Sequence, residues 1–388
     1  MQKYTVLVNL HLAACRPDLD INCFQDGISG ETTAAYLKRT QKTLELFHPT
    51  VVTSFYGFND GKWVAYREEN GARYEADTRA LIKTFRDAGV RIILESPGMA
   101  GKALENCKEY NNTLGRLSDI ARKVAEDTKV PFESVHDVMT IAQQKMEARE
   151  GPAYDLVASD GAHADWQGHM AIAIAFLRSM GLGAKPIAHI EFDPETKTAT
   201  ASEGHRIVSA TGDTIVVESR RYPFYFLWDN PGKNFADMSK VAEELGFFDD
   251  LDRFLLVVRT KTPGKYEVKW NTVANTYDSE QLTRGINLAK EFHNNPFNLN
   301  LYPLWQLSLL KCQIDSNITL DNVYGRTNLL NGAASLSKSI LVEDEKGIDL
   351  LQLIKADPMK LHALAEKRQR EIAAPVNHTI TIRKLPGV

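Results

Sequence analysis

The chain has 388 residues, 43% of them hydrophobic and 25% charged, the balance of an ordinary folded protein and not of a disordered or fibrous one. That length leaves room for two domains with large buried cores, and a net charge of −4 provides no basic footprint for a phosphate backbone, which excludes nucleic acid as an expected partner. No apolar stretch approaches the roughly 20 residues that a membrane-crossing helix needs, and Cys15, Cys23, Cys107 and Cys312 lack CxxC spacing and read as scattered buried thiols.

The first fifteen residues, MQKYTVLVNLHLAAC, have a charged start, a short apolar core and a Leu-Ala-Ala-Cys ending, the outline of a lipoprotein leader. Asn9 and His11 interrupt that core, however, while Tyr4, Leu7, Val8, Leu12 and Cys15 recur at helical spacing and predict an amphipathic helix with one core-facing side. Localisation stays open at this point, export included if a signal peptide precedes the helix. Arg16-Pro17-Asp18 stops the helix, and Leu19 to Phe24 reads as a strand. Helices follow at Thr32 to Phe47, around Tyr74 to Phe85 with Gly89 as a left-handed stop, at Tyr110 to Val124, and at Trp166 to Leu177 before Gly181. Between them, Val51 to Tyr56, Val90 to Glu95 and Pro131 to Val135 are short β-branched or aromatic runs of the kind buried in parallel sheets. Strand and helix alternate up to about residue 185, the pattern of a sheet covered on both faces.

Beyond Pro186 the pattern changes. His189 to Phe192 and Thr198 to Ala201 flank a turn at Asp193 to Lys197, and Arg206 to Ala210 and Thr214 to Glu218 flank Thr211-Gly212-Asp213, two hairpin signals. Phe254 to Arg259 and Tyr266 to Trp270 flank Thr262-Pro263-Gly264-Lys265 and read as a third, completing a compact antiparallel module. Helical spacing returns at Ser279 to Phe292, Leu304 to Ile314 and Met359 to Ile372, before an alternating run from His378 to Arg383. Expected domains are therefore residues 1–185 and 186–388. The aromatic group Tyr222, Phe224, Tyr225, Phe226 and Trp228 could stack on sugars but reads more simply as packing, and the charged run Glu366 to Glu371 as the wet face of a helix.

Three short segments could carry chemistry: Gly27-Ile28-Ser29-Gly30-Glu31-Thr32, Tyr56-Gly57-Phe58-Asn59-Asp60 and Asp160-Gly161-Ala162-His163. Each lies at a strand end or just before a helix, the rim of a parallel sheet where ligands bind. Taken singly, each also has a plain reading: a glycine turn with Ser29 or Thr32 as N-cap, an Asn-Asp-Gly turn, and a solvated Asp/His pair. Asp160, His163, Asp165 and His169 could alternatively be metal ligands, but Asp165 and His169 are explained as a helix cap and a polar face, and no cofactor is expected.

In their order, GISGETT, YGFND and DGAHADWQGHMAIA resemble the second, third and fifth blocks of the GDSL/SGNH hydrolase family, over roughly residues 4 to 181. Arg284 to Ala289 weakly echoes a stretch of longer members with an appended module. The resemblance implies an α/β, three-layer flavodoxin-like parallel sheet followed by a β-rich module with helices. It implies a serine ester hydrolase in which His163 is the base, Asp160 its orienter, and the Gly30 N–H and Asn59 amide the oxyanion donors. Small-molecule or carbohydrate esters are the implied substrates. The family's first block, a Gly-Asp-Ser at the end of its first strand, has no counterpart here, and Ser29, Ser54, Ser96 and Ser159 do not sit in a nucleophile elbow. The expectation is a chain truncated before that block, its first strand and nucleophile missing. The alternative is a non-catalytic pseudoenzyme that binds carbohydrate or protein. Oligomeric state is not legible.

Overall fold

In a computed structural model the described residues are 4–224, 226, 233–325 and 357–386. The chain opens with helix α1 (Tyr4–Cys15), whose predicted single apolar side is a correction: Val6, Asn9, Leu10, His11 and Ala14 are buried as well. A helix apolar all round demands cover all round, and α1 obtains it from two helices introduced below. Leu19 to Phe24 does not form the predicted strand; apart from a single 3-10 turn at Pro17–Leu19 the run has no regular structure. Strand propensity alone cannot make a strand without a neighbour to bond. The predicted helix Thr32 to Phe47 is two, α2 (Thr33–Leu37) and α3 (Thr40–Phe47), broken at Lys38 and Arg39.

Strands β1 (Val51–Phe55), β2 (Arg91–Glu95) and β3 (Phe132–Glu133) form a parallel sheet in that order, with Val51 opposite Arg91 and Leu94 opposite Phe132. Helices α4 (Glu68–Asp87) and α5 (Cys107–Thr128) cover one face through Leu81, Phe85, Leu117 and Val124. Helix α7 (Trp166–Ser179) covers the other, packed against α1 and against α6 (Val135–Glu150), a helix the sequence reading missed. The three-layer expectation holds to this extent, although β3 is only two residues long where five were predicted. Strand β1 is an edge of the sheet.

The remaining strands are β4 (Ala188–Asp193), β5 (Thr198–Ala201), β6 (His205–Thr211), β7 (Thr214–Ser219), β8 (Phe254–Val258), β9 (Lys265–Trp270), β10 (Val273–Asp278), β11 (Ile286–Asn287) and β12 (Val376–Lys384). They form a sheet ordered β10-β9-β12-β7-β6 and another ordered β11-β8-β4-β5. Hairpins β4–β5 and β6–β7 are as predicted, but β8 and β9 are not a hairpin. β8 pairs parallel with β4, while β9 pairs with β10 and β12 in the other sheet. The turn signal between them is a corner from one sheet to the other. The predicted helix Ser279 to Phe292 is interrupted by β11, leaving α10 (Ser279–Arg284) and α11 (Leu288–Glu291).

Where the two sheets meet, Phe254, Trp270, Phe292 and Phe297 are fully buried around a directed chain of hydrogen bonds. Trp270 Nε1 can only donate, so His378 Nδ1 accepts it at 2.9 Å. His378 Nε2–H then donates to Ser219 Oγ at 2.8 Å, Ser219 donates to His205 Nδ1 at 2.7 Å, and His205 Nε2–H ends on the Ile187 carbonyl at 2.9 Å. Both rings are neutral in this arrangement, and burial lowers the His378 pKa to about 3.

Helices α8 (Lys233–Glu244) and α9 (Phe247–Asp250) connect β7 to β8, and α12 (Asn298–Tyr324) pairs with α13 (Pro358–Ile372). α12 is the other neighbour that covers α1. The charged run on α13 is not wholly wet: Glu366 pairs with Lys311, whose side chain is 1% exposed. Tyr222, Phe224 and Phe226 are buried, Phe224 and Phe226 against Phe247, so these three are packing residues; Tyr225 and Trp228 lie outside the described residues. Cys15 and Cys312 are buried, Cys23 and Cys107 half-buried, and all four are free thiols.

Candidate active site

A cleft of about 2170 Å³ runs along the edge of β1, bounded by α1, α7 and the segment from Leu19 to Glu31. It lies beyond the last hydrogen-bonded strand, where the outer edge of β1 has no strand partner among the described residues. Gly30, Asn59 and His163 all line it, so the three sequence segments reach one cavity.

The first segment is a turn. Gly30 has φ +79° with nothing within 4 Å of an added Cβ, so glycine is required there by the backbone and not by space. Thr32, not Ser29, is the N-cap of α2, its hydroxyl accepting from Ala35 N at 3.2 Å. Glu31 is held from both sides: Arg39 donates to its two carboxylate oxygens at 2.7 and 2.8 Å, and Tyr56 hydroxyl donates at 2.7 Å. Arg39 also pairs with Asp26 at 2.8 Å, with its own side chain only 6% exposed. The break between α2 and α3 thus places a buried guanidinium behind the turn.

The second segment grips the first. Asp60 accepts from Thr33 N and Gly57 N, both at 3.1 Å, and Asn59 Nδ2 donates to the Glu31 carbonyl at 3.2 Å. A carboxamide has two N–H donors. One fixes the Asn59 side chain on the Glu31 carbonyl, and the residue lines the cleft.

The third segment is organised by one carboxylate. Asp160 Oδ1 accepts from Ala162 N at 2.9 Å and His163 N at 3.0 Å, and Oδ2 bonds His163 Nδ1 at 2.7 Å. These bonds, the His163 backbone N–H first, draw the Asp160 pKa down to about 2. An ionised carboxylate on Nδ1 selects the tautomer with its proton there, leaving Nε2 as a base. Gly101 N donates to Gly161 O at 2.9 Å, tying the loop to the segment before α5. The pair is half-exposed, at 51% and 52%. Asp165 caps α7 through Trp166 N, and His169 Nδ1 accepts from Tyr4 N. Among the described residues no group of three or more His, Cys, Asp and Glu side chains is placed to hold a metal ion.

Sequence reasoning did not single out Glu31 as a carboxylate, Arg39 or Trp63. The first two could have been found as a charge pair eight residues apart across a helix break; Trp63 carries no sequence signal beyond its proximity to Asn59.

Residues 6–171 match the GDSL-like Lipase/Acylhydrolase family model. Among solved structures the chain is similar to a gut microbial diltiazem-metabolizing enzyme, with a TM-score of 0.72 and 21% identity over 98% of this chain and 94% of that one. That likeness extends the shared fold through the C-terminal sheets. A catalytic mutant of an acetylxylan esterase from Geobacillus stearothermophilus aligns over 46% of this chain and 81% of its own, with 25% identity and a TM-score of 0.40. No curated protein matches. No described helix is long and apolar enough to cross a membrane.

Proposed function

We propose, from the match of residues 6–171 to the GDSL-like Lipase/Acylhydrolase family model, that the protein cleaves small or carbohydrate esters by a Ser-His-Asp mechanism. His163 Nε2 takes the proton from a serine hydroxyl as its oxygen bonds to the ester carbonyl carbon. The negative charge that develops on the carbonyl oxygen meets the Gly30 N–H and the second N–H of Asn59, each donor of this kind being worth about 3 to 4 kcal/mol in the transition state. His163 returns the proton to the departing alcohol, and the acyl-serine is hydrolysed by water activated in the same way. Asp160 holds the ring and stabilises its charged form. The observation that carries this reading is the 2.7 Å Asp160–His163 contact on the cleft that Gly30 and Asn59 line.

The nucleophile is proposed to be a serine outside the described residues, brought in on a strand beside β1. Among described residues the hydrogen-bond partner of the His163 ring is Asp160, and Ser179 in the cleft is engaged with Glu95 and Phe176 O. The five residues of β1 offer an edge of about 17 Å, and Leu19, Ile21 and Val51 stand exposed along the cleft. A strand there would give the strand-like run Leu19 to Phe24 the neighbour it lacks. That no serine among the described residues is hydrogen-bonded to the His163 ring also sustains the second reading, a site that binds without turnover.

One experiment separates the two readings. An alternating Val/Ile strand ending in Gly-Asp-Ser is fused ahead of Tyr4 through a flexible linker, and p-nitrophenyl acetate hydrolysis is followed. The enzyme reading expects turnover that disappears when the strand serine is changed to Ala and when His163→Ala is introduced. A fusion whose β1 amides gain hydrogen-exchange protection, yet which is no faster than its serine-free control, contradicts it and leaves the binding reading.

A further inference from the structure

Lys62 and Trp63 have φ of +56° and +61°, and among the described residues they are the one pair of adjacent non-glycine residues in the left-handed region. For a residue as bulky as Trp this conformation is strained and persists only where the surroundings over-determine it. Here they do. Lys62 N donates to Asn59 O at 3.1 Å, Asn106 Nδ2 to Trp63 O at 2.8 Å, and Thr113 Oγ to Val64 O at 2.8 Å, while the Tyr110 hydroxyl donates to Phe58 O.

The result is an indole held outward. Trp63 lies parallel to Tyr110, 7° between planes and 5.7 Å between centroids, and perpendicular to Phe58 at 5.0 Å. Tyr110 is fully buried and backs the ring rigidly, yet Trp63 remains 39% exposed and lines the cleft. Phe58 is the chain neighbour of Asn59, and Asn106, which holds the Trp63 carbonyl, belongs to the segment that also bonds the His163 loop through Gly101 and Gly161. The indole is thus mounted between the two parts of the candidate site.

We infer that Trp63 determines specificity by stacking an apolar ring face of the ester substrate, that of a pyranose or of an aromatic ring, on its exposed surface. This rests on the ester-hydrolase reading for the substrate's ester group. The recognition itself is apolar: ring C–H bonds or a ring π-face against indole, with no ion pair.

The test measures binding, so it needs no nucleophile and fails separately from the catalytic assignment. Ligand-observed NMR titrations of the 388-residue protein use methyl tri-O-acetyl-xylopyranoside, phenyl acetate and, as an acyclic control, butyl acetate. At least one ring ester is expected to bind and to lose about three- to tenfold in affinity on Trp63→Ala, the equivalent of the roughly 0.5–1.5 kcal/mol of a stacked pair. Trp63→Phe recovers most of this and Trp63→Leu, which keeps apolar bulk without a flat face, does not. Butyl acetate responds to none of the three changes. Loss confined to the xyloside assigns a sugar substrate, and loss confined to phenyl acetate an aromatic one. Ring-ester affinity within twofold of wild type in both Trp63→Ala and Trp63→Leu, or an equal loss for butyl acetate, overturns the inference.

Discussion

At the junction of the two C-terminal sheets Phe254, Trp270, Phe292 and Phe297 are all at 0% exposure, whereas Leu19, Ile21, Val51, Trp63 and Tyr324 stand at 37 to 54% around the N-terminal cleft. The residue types are alike, so hydrophobicity does not account for the contrast. In the C-terminal region each aromatic face meets another element of the same chain, and the polar groups among them are satisfied in sequence from Trp270 to the Ile187 carbonyl. At the cleft the polar groups are also well held, Glu31 and Asp60 above all, but the apolar surface is left open along a sheet edge. Rigid polar scaffolding beside uncovered apolar surface is the signature of a place where something binds.

That contrast can be broken most forcefully in the closed region. Phe254→Ala is expected to cost about 3–5 kcal/mol, because the cavity cannot be filled by neighbours from two different sheets; Val51→Ala at the cleft edge is expected to stay within about 0.5 kcal/mol. Urea unfolding of both variants checks the difference, and similar losses would show the cleft edge to be as well packed as the junction.

Arg39→Met is next in size. It leaves Glu31, at 5% side-chain exposure, and Asp26 without their cation, a change expected to cost about 3 kcal/mol. Because the Glu31 carbonyl also holds Asn59, hydrogen exchange at the Gly30 and Asn59 amides should rise in this variant beyond the global change.

The closed region should also weaken in acid. An unfolded histidine takes up a proton near pH 6.5, but His378 in the folded chain resists until about pH 3, and burial lowers His205 too. Between those values the unfolded chain binds more protons, so this contribution is fully present above about pH 6.5 and is lost as the pH falls toward 3. His378→Gln, which can accept from Trp270 and donate to Ser219, should reduce the slope of stability against pH between 6.5 and 4 by up to about 1.4 kcal/mol per pH unit. Denaturation at a series of pH values reads this directly, and an unchanged slope excludes His378 as a source of acid sensitivity. A small stability effect is expected at the site itself as well: Asp160→Asn on a half-exposed loop should change neutral-pH stability by no more than about 1 kcal/mol.

How much of this was legible in the sequence follows from the range of each interaction. Local signals served well: the helical stripe of α5, the turn of β4–β5 and the three-residue spacing that places Asp160 against His163. Non-local choices were hidden. Thr262 to Lys265 is a genuine turn, but nothing in it says that β8 will lie parallel to β4 and leave β9 to another sheet. Leu19 to Phe24 has strand-like composition and no strand to join. Helix α1 was given one buried side because its second cover, α12, arrives some 290 residues later. At the site, the conformation of Trp63 depends on bonds from Asn106 and Thr113 of a different element, which no spacing rule reveals.

Asn59 and His163 are proposed to act on the same ester carbonyl, and a double-mutant cycle in kcat tests that most directly, made in the fusion that carries the serine strand. Asn59→Ala alone should lower kcat about 10² to 10³-fold and His163→Ala by more. Residues that serve one transition state do not lose independently, so the double variant should fall far short of the product of the two losses. Losses that multiply, or full activity in either single variant, would contradict a shared site.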